Sequence, residues 1–497
     1  GFKLKFFHSS GTCSIISVKG KNGSIVFLDI MNWFVESLEK TGQRIGMPKL
    51  KIDFETCSDS YLSTYCKRDV EIEIENFKRF IKFLEDNSVA RLCYTRASTA
   101  MAAYLLRHYD KRIYIHNNKE AIDLERESYR GGRCECFYLG RFSYANYYIV
   151  DVNSLYPYVM RNNSYPVKYE KILHRISGED LQRVIASKSI TARVLINTDE
   201  PAYAVRHDRT IFPIGKFWVT LTTPELKYAL EHNHIVKIKQ AVLYKQANLF
   251  KTYVDRFYRL RQKFKAEDNA EYVELCKKLL NSLYGKFGQK ADEWRKIGNC
   301  PDEPDRVEIC FQVGRSGVKQ IRYLLGEIFE LVGYGECFNS FPAIAAHVAA
   351  YGRMYLYKLM KITGEGNYFY CDTDSLIINE TGLLNLQSQI DDSILGGLKI
   401  EETTTRLDIR GLKDYSTAGK EVIKGIRKNA VKLQEGVYEQ QQWPSFKGVL
   451  RSNDANIYKI KKIIKNLNRE YTKGTVNPDG SIVPFVLDET ALLPLQF

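Results

Sequence analysis

Apolar residues recur along the chain with several different periods, and each period predicts a different element. Alternation in "GSIVFLDI" (23–30) predicts a strand within a small α/β unit that reaches about Tyr129. From Tyr61 to about Glu85 the apolar positions return every three or four residues, which predicts one long amphipathic helix. The run Tyr147 to Val152 in "NYYIVDVNSLYP" reads as a buried central strand that Pro157 ends. "TPELKYALEHN" (223–233) has a Thr-x-x-Glu-like helix start with Pro224 at the first helical position. Two basic helical stretches, Leu249 to Phe264 and Tyr272 to Tyr284, flank the polar turn "AEDNAE" and predict an antiparallel helical pair. Gly and charge interrupt short strand-like pieces from about Lys290 to Gly335, the mark of an insertion. Beyond it, Pro342 to Lys361 reads as a buried helix, and "NYFYCDTDSLII" (367–378) as a hairpin turning at Asp372 to Asp374.

A chain of 497 residues is expected to form several lobes around a large core. The net charge of +14 raises the expectation of a polyanionic partner, and 33 Tyr and 25 Phe supply rings for base stacking as well as for the core. Eleven cysteines without any C-x-x-C spacing argue against a disulfide framework or zinc ribbon and for a reducing host-cell interior. Cys134 and Cys136 would share one face of a strand, as buried thiols or, less simply, metal ligands. The most apolar stretch, Phe341 to Met360, is broken by His347 and Arg353 and fails as a membrane span, so a soluble protein is expected. No leader is visible; the chain opens on Gly1 directly into strand-like sequence, which reads as a fragment or a processed product.

Asp151 closes an apolar strand, and Asp372 with Asp374 sit at a turn where a two-residue spacing can direct both toward one face. Three carboxylates brought together would need cations, and two magnesium ions, with manganese as a substitute, are what nucleotidyl transfer requires. Asp-Thr-Asp is also an ordinary solvated turn, so this triad does not stand alone. In "KKLLNSLYGKFG" (277–288), Lys277, Asn281 and Tyr284 fall on one helical stripe, a cation, an amide and a ring in a row that suits a triphosphate and a base. Gly285 either clears space for a base pair or ends the helix.

Taken in order, "DVNSLYP", "KKLLNSLYG" and "YCDTDS" resemble the A, B and C motifs of family B DNA polymerases, most closely the protein-primed members of bacteriophages and linear plasmids. "YCKRD" (65–69) resembles the third exonuclease motif, "YRGG" (129–132) the linker motif and "KDY" (413–415) the Lys-x-Tyr motif. The resemblance implies an α/β (α+β) multidomain, right-hand fold with palm, fingers and thumb after a truncated N-terminal RNase H-like exonuclease domain. It places a partial exonuclease-like domain at 1–128, linker and first palm segment at 129–166, a terminal-protein-region-like insertion at 167–248, and fingers at 249–290. A second insertion at 291–335, second palm segment at 336–425 and thumb at 426–497 complete it. Asp151 and Asp374 would be the principal metal ligands, with Asp372 beside them, and Tyr156 would lie under the incoming sugar and exclude a 2′-hydroxyl. Lys277 and Arg261 would hold the triphosphate, with Lys265 competing for the role of Arg261, and Asn281, Tyr284 and Gly285 would line the nascent pair. Ser154, Lys413 and Tyr415 would support template or primer, and Tyr129, Gly131, Gly132 and Arg133 the single-stranded template. The implied partners are primer-template DNA, deoxynucleoside triphosphates and a separate terminal protein as primer, on a monomeric enzyme.

Of a proofreading site only Tyr65 and Asp69 match; Asp29 reads as structural, and Asp53 with Glu55 as loop residues, so polymerisation without proofreading is expected. Two other readings remain: a catalytically silent polymerase-like nucleic-acid-binding protein, and a polymerase with an RNA template or ribonucleotide preference. Intact carboxylates with Tyr156 and Lys277 count against the first, and Asp-Thr-Asp with Tyr156 against the second.

Overall fold

A computed structural model of the chain describes residues 3–10, 13–54, 56–143, 145–303, 306–311, 318–324, 326–442 and 460–490. At its centre is a five-stranded antiparallel sheet with strand order Leu398–Thr404, Tyr147–Val152, Ser375–Asn379, Tyr368–Asp372 and Cys134–Cys136. The predicted central strand and hairpin both form, and the hairpin register pairs Asp372 with Ser375. Pro157 does not end a strand; it lies in the first turn of the helix Leu155–Asn162, where its missing N–H costs no helical hydrogen bond.

Behind the sheet runs the helix Pro342–Thr363, largely buried and packed against the helices Lys119–Ser128, Leu155–Asn162, Thr223–Glu231 and Ala270–Phe287. The two residues that interrupt its apolar run are each paired inside. His347 donates from Nδ1 to Ala343 O (2.7 Å) and accepts at Nε2 from Thr223 Oγ1 (2.9 Å). Arg353 Nη2 donates to Glu225 Oε1 at 2.6 Å, with both side chains 2% exposed. Glu225 also closes the capping box predicted for its helix, accepting from Thr222 N and Oγ1 at 3.0 Å each; Thr222 is the cap residue.

The 167–248 segment builds most of a second sheet, ordered Val486–Leu487, Ile214–Thr222, Ser189–Thr198, Ile235–Ala247 and Tyr165–Leu173. The predicted helical pair is Lys251–Ala266 and Ala270–Phe287. The expected insertion is a four-stranded antiparallel sheet, ordered Lys290–Asn299, Glu327–Glu336, Val318–Leu324 and Arg306–Phe311. At the N-terminal side, three antiparallel strands, Lys3–Ser10, Cys13–Gly20 and Gly23–Leu28, precede the long helix Asp59–Asp86, capped by Ser58. Among the described residues no helix is long and apolar enough to cross a membrane.

Candidate active site

Asp151 and Asp374 come together because the strand carrying Asp151 pairs with the hairpin strand that begins just after Asp374. Asp151 stands opposite Ser375, and Val152 N donates to Asp374 O at 2.8 Å. Both carboxylates line a cleft of about 730 Å³ with Ser154, Tyr156, Arg261, Lys265, Lys277, Asn281 and Tyr284. Burial, then the charges of Asp374 and Glu401, push the Asp151 carboxyl up to about 7, against the pull of Lys277 and Lys399. Burial and then Asp372 raise Asp374 to about 6. Two acids whose ionisation is opposed by burial and by neighbouring carboxylates make a site where a cation would relieve both.

Asp372 differs. It does not line the cleft; its Oδ2 accepts from Lys413 Nζ at 2.9 Å and its Oδ1 from Thr373 Oγ1 at 3.2 Å. Of the three carboxylates expected to converge, Asp151 and Asp374 line the cleft, and Asp372 stands at the same turn, paired with Lys413. Among the described residues no group of three or more His, Cys, Asp or Glu is arranged to hold a metal by itself. Two carboxylates are still the donor set magnesium uses when substrate phosphates complete its shell. Glu401, which sequence reasoning missed, lines the same cleft, as do Lys399 and Asp392. It is the extra residue of a bulge between Ile400 and Glu402, and bulges re-aim side chains in a way no strand periodicity announces.

The helical stripe predicted for Lys277, Asn281 and Tyr284 faces the cleft as a unit. The rings of Tyr156 and Tyr284 lie 4.7 Å apart, 33° from parallel, and Gly352 leaves just enough room behind Tyr156, since a Cβ there would stand 3.2 Å from its ring. Arg261 Nη1 donates to Ser154 Oγ at 3.1 Å, which bridges the helical pair to the motif that carries Asp151. Ser154 (φ 58°), Asp268 (φ 52°), Thr373 (φ 64°) and Lys413 (φ 57°) are all left-handed without being glycine, and such backbone strain gathers at functional sites. Tyr415 packs on Tyr370, ring centroids 5.2 Å apart.

Gly285 does not end its helix, which continues to Phe287; a Cβ there would meet nothing within 4 Å. It lines a second groove of about 1300 Å³ between the first strand, residues 94–98 and the four-stranded insertion sheet. Asn281 lines both the groove and the cleft, so the two spaces meet at its side chain. In the groove Arg322 lies over the Trp294 ring at 4.2 Å.

The linker motif is split. Tyr129 is half-buried and Gly131 is exposed, but Gly132 presses against the turn at Asp372 to Asp374: a Cβ there would stand 2.8 Å from Thr373 Cγ2. Arg133, expected at the template, is instead 1% exposed. Its Nε donates to Glu135 (2.6 Å), its Nη1 to Pro201 O (2.9 Å), and its guanidinium stacks on Phe212 at 4.1 Å. It offers no charge to a phosphate. Arg353 donates to Arg130 O (2.8 Å) and Gly131 O (3.0 Å), fixing the linker from behind. Tyr65 and Asp69 share Lys49, which pairs with the carboxylate and sits 4.1 Å from the ring centroid. Asp29 accepts from Met31 N as a helix cap; Asp53 accepts from Thr56 Oγ1 in a loop, and Glu55 lies outside the described residues.

A family model described as DNA polymerase type B, organellar and viral, matches residues 55–299. A probable DNA polymerase of Neurospora intermedia is 24% identical over 347 residues, 67% of this chain and 34% of its own length. The DNA-directed DNA polymerase of Enterobacteria phage PRD1 is 27% identical over 321 residues, covering 61% of this chain and 52% of its own. This chain thus spans only about a third of the Neurospora relative. Phi29 DNA polymerase complexed with primer-template DNA has the same fold, with a TM-score of 0.61 at 16% identity over 92% of this chain and 76% of that one. The same polymerase with primer-template DNA and incoming nucleotides matches with a TM-score of 0.58. Over residues 55–299 this chain is similar to the organellar and viral type B DNA polymerases, and it shares a mixed α/β fold with phi29 DNA polymerase.

Proposed function

We propose that the chain is a DNA-directed DNA polymerase that joins deoxynucleotides to a primer end by a two-metal mechanism. One observation carries this reading: Asp151, on a central strand, and Asp374, in the turn of the hairpin paired to it, face a cleft that Lys277 and Arg261 also line. Bound divalent cations would activate the attacking hydroxyl and neutralise the leaving phosphate. Asp151 and Asp374 would hold them, and Glu401 is placed to assist. Lys277 and Arg261 would bind the triphosphate, with Lys265 beside them, as point charge and fork respectively suit. Tyr156, backed by Gly352 and packed at a tilt against Tyr284, would meet the sugar, and Asn281 the nascent pair.

The groove that opens at Asn281 would carry the single-stranded template between the first strand and the insertion sheet, with Arg322 and Trp294 as its cationic and stacking surfaces. We extend the reading to protein priming by a separate terminal protein, supported by the motif wording and by the two inserted sheets. Polymerisation without proofreading is part of the same proposal, and the engagement of Asp69 by Lys49 supports it.

Extension of a primed DNA template with magnesium tests the proposal, repeated for Asp151→Ala and Asp374→Ala. Loss of extension in both variants with retained DNA binding is expected. Equal extension by wild type and variants would refute it, and ribonucleotide use on either template would favour the RNA-related alternative.

A further inference from the structure

One edge of the central sheet carries an arrangement that the chemistry above does not use. Cys134–Cys136 is the edge strand, and a C-terminal segment holds its outer side through side chains at alternate positions. Tyr471 Oη donates to Cys136 O and accepts from Cys136 N, each at 3.1 Å. Lys473 Nζ donates to Cys134 O at 2.7 Å. Arg469 pairs with Asp414 at 2.8 Å and with Glu435. Farther on, Leu139 N donates to Gly480 O (2.8 Å) and Ile482 N to Phe137 O (2.9 Å). Lys473 is only 8% exposed, and among the described residues no carboxylate pairs with it. An ammonium withdrawn from water for one carbonyl is costly unless that carbonyl must be held.

What that carbonyl supports is the catalytic turn. Cys134 is the register partner of Asp372, Thr373 N donates to Arg133 O at 2.6 Å, and Gly132 lies against the Thr373 side chain. Residues 132–134 are the bed on which Asp372 and Asp374 rest, and Lys473 grips that bed from the far side. We infer that Lys473 is a positioning residue that ties the C-terminal region to the catalytic turn, so that Asp374 keeps its place opposite Asp151 only while that region is docked. The activity arm of this inference rests on the polymerase reading; the structural arm does not.

Lys473→Met and Lys473→Arg test it in the full chain. In the protein alone, alkylation of the Cys134 thiol, followed by mass spectrometry, should quicken about tenfold in Lys473→Met, the effect of losing one hydrogen bond from a charged donor, and recover in Lys473→Arg. With DNA, single-turnover incorporation should slow about tenfold and need more magnesium for half-maximal rate, with DNA affinity unchanged. Unchanged Cys134 labelling overturns the inference. So does a loss confined to DNA affinity with a shallower salt dependence, which would make Lys473 a phosphate contact. Should Lys473→Met fail to fold, Tyr471→Phe removes only a hydroxyl from the same clamp, and unchanged labelling there is equally fatal. A wild type that extends no primer tells against the polymerase reading and leaves the labelling result standing.

Discussion

Gly131 and Gly132 look interchangeable in sequence, yet their surroundings predict opposite responses to a methyl group. At Gly132 a Cβ would stand 2.8 Å from Thr373 Cγ2 and 2.9 Å from Thr373 Oγ1; at Gly131 it would meet nothing within 4 Å. Ordinary carbon–carbon contact lies at about 3.5–4.0 Å, so Gly132→Ala must drive the turn back by roughly 0.7–1.2 Å. Overpacking of this kind costs about 1–3 kcal/mol of stability. The larger effect is expected on rate, because a displacement of about 1 Å at a reacting centre costs on the order of 100-fold. Single-turnover incorporation at saturating nucleotide should therefore fall about 10- to 100-fold in Gly132→Ala and hold within about twofold in Gly131→Ala. Thr373→Ala removes both nearest atoms and should restore much of the rate when combined with Gly132→Ala. Equal losses in the two single variants would refute the reasoning, since both glycines would then serve an approaching phosphate rather than the turn.

Arg353→Met should destabilise the chain by about 3–5 kcal/mol, because Glu225 is left charged and buried, and Glu225→Gln in the same chain should recover most of the lost melting temperature. His347, held down to about 4 by burial, takes a proton in the unfolded chain before the folded one can. Its contribution is thus full above about 6.5 and lost as pH falls toward 4; denaturant titrations should show that dependence flattened in His347→Asn. Removal of a mismatched primer end should be no faster for this chain than for Asp69→Ala, as followed on labelled primers; robust metal-dependent removal by the chain, whether or not it survives the substitution, would refute the proposed lack of proofreading.

Much of this arrangement is legible in the residues. The 3.6-residue period of the long helix and the apolar run ahead of Asp151 report local burial, and local burial is what periodicity measures. The stripe of Lys277, Asn281 and Tyr284 is equally local, and all three reach the cleft. What escaped depends on partners far away in sequence. Arg353 reads as a flaw in an apolar run until Glu225 and the carbonyl of Gly131 are beside it. Arg133 reads as a basic residue in a nucleic-acid motif until Glu135, Pro201 and Phe212 enclose it. Asp372 reads as an acid standing beside the two principal ones, and its partner Lys413 shows only in the fold. Glu401 sits on a bulge, which has no signature in composition or period.

The register of the central sheet has a consequence for biosynthesis. Strands near position 150 find their neighbours only at 375–379 and 398–404, and the edge strand at 134–136 pairs with 370–372. Such distant pairings form slowly, since a long loop must close before any contact rewards it. A nascent chain emerging from the ribosome therefore exposes these apolar strands unpaired for most of its synthesis. Ribosome-stalled or cleaved products ending before about residue 400 carry Asp151 and Asp374 yet lack the neighbour at 398–404, which makes them candidates for aggregation and for chaperone capture.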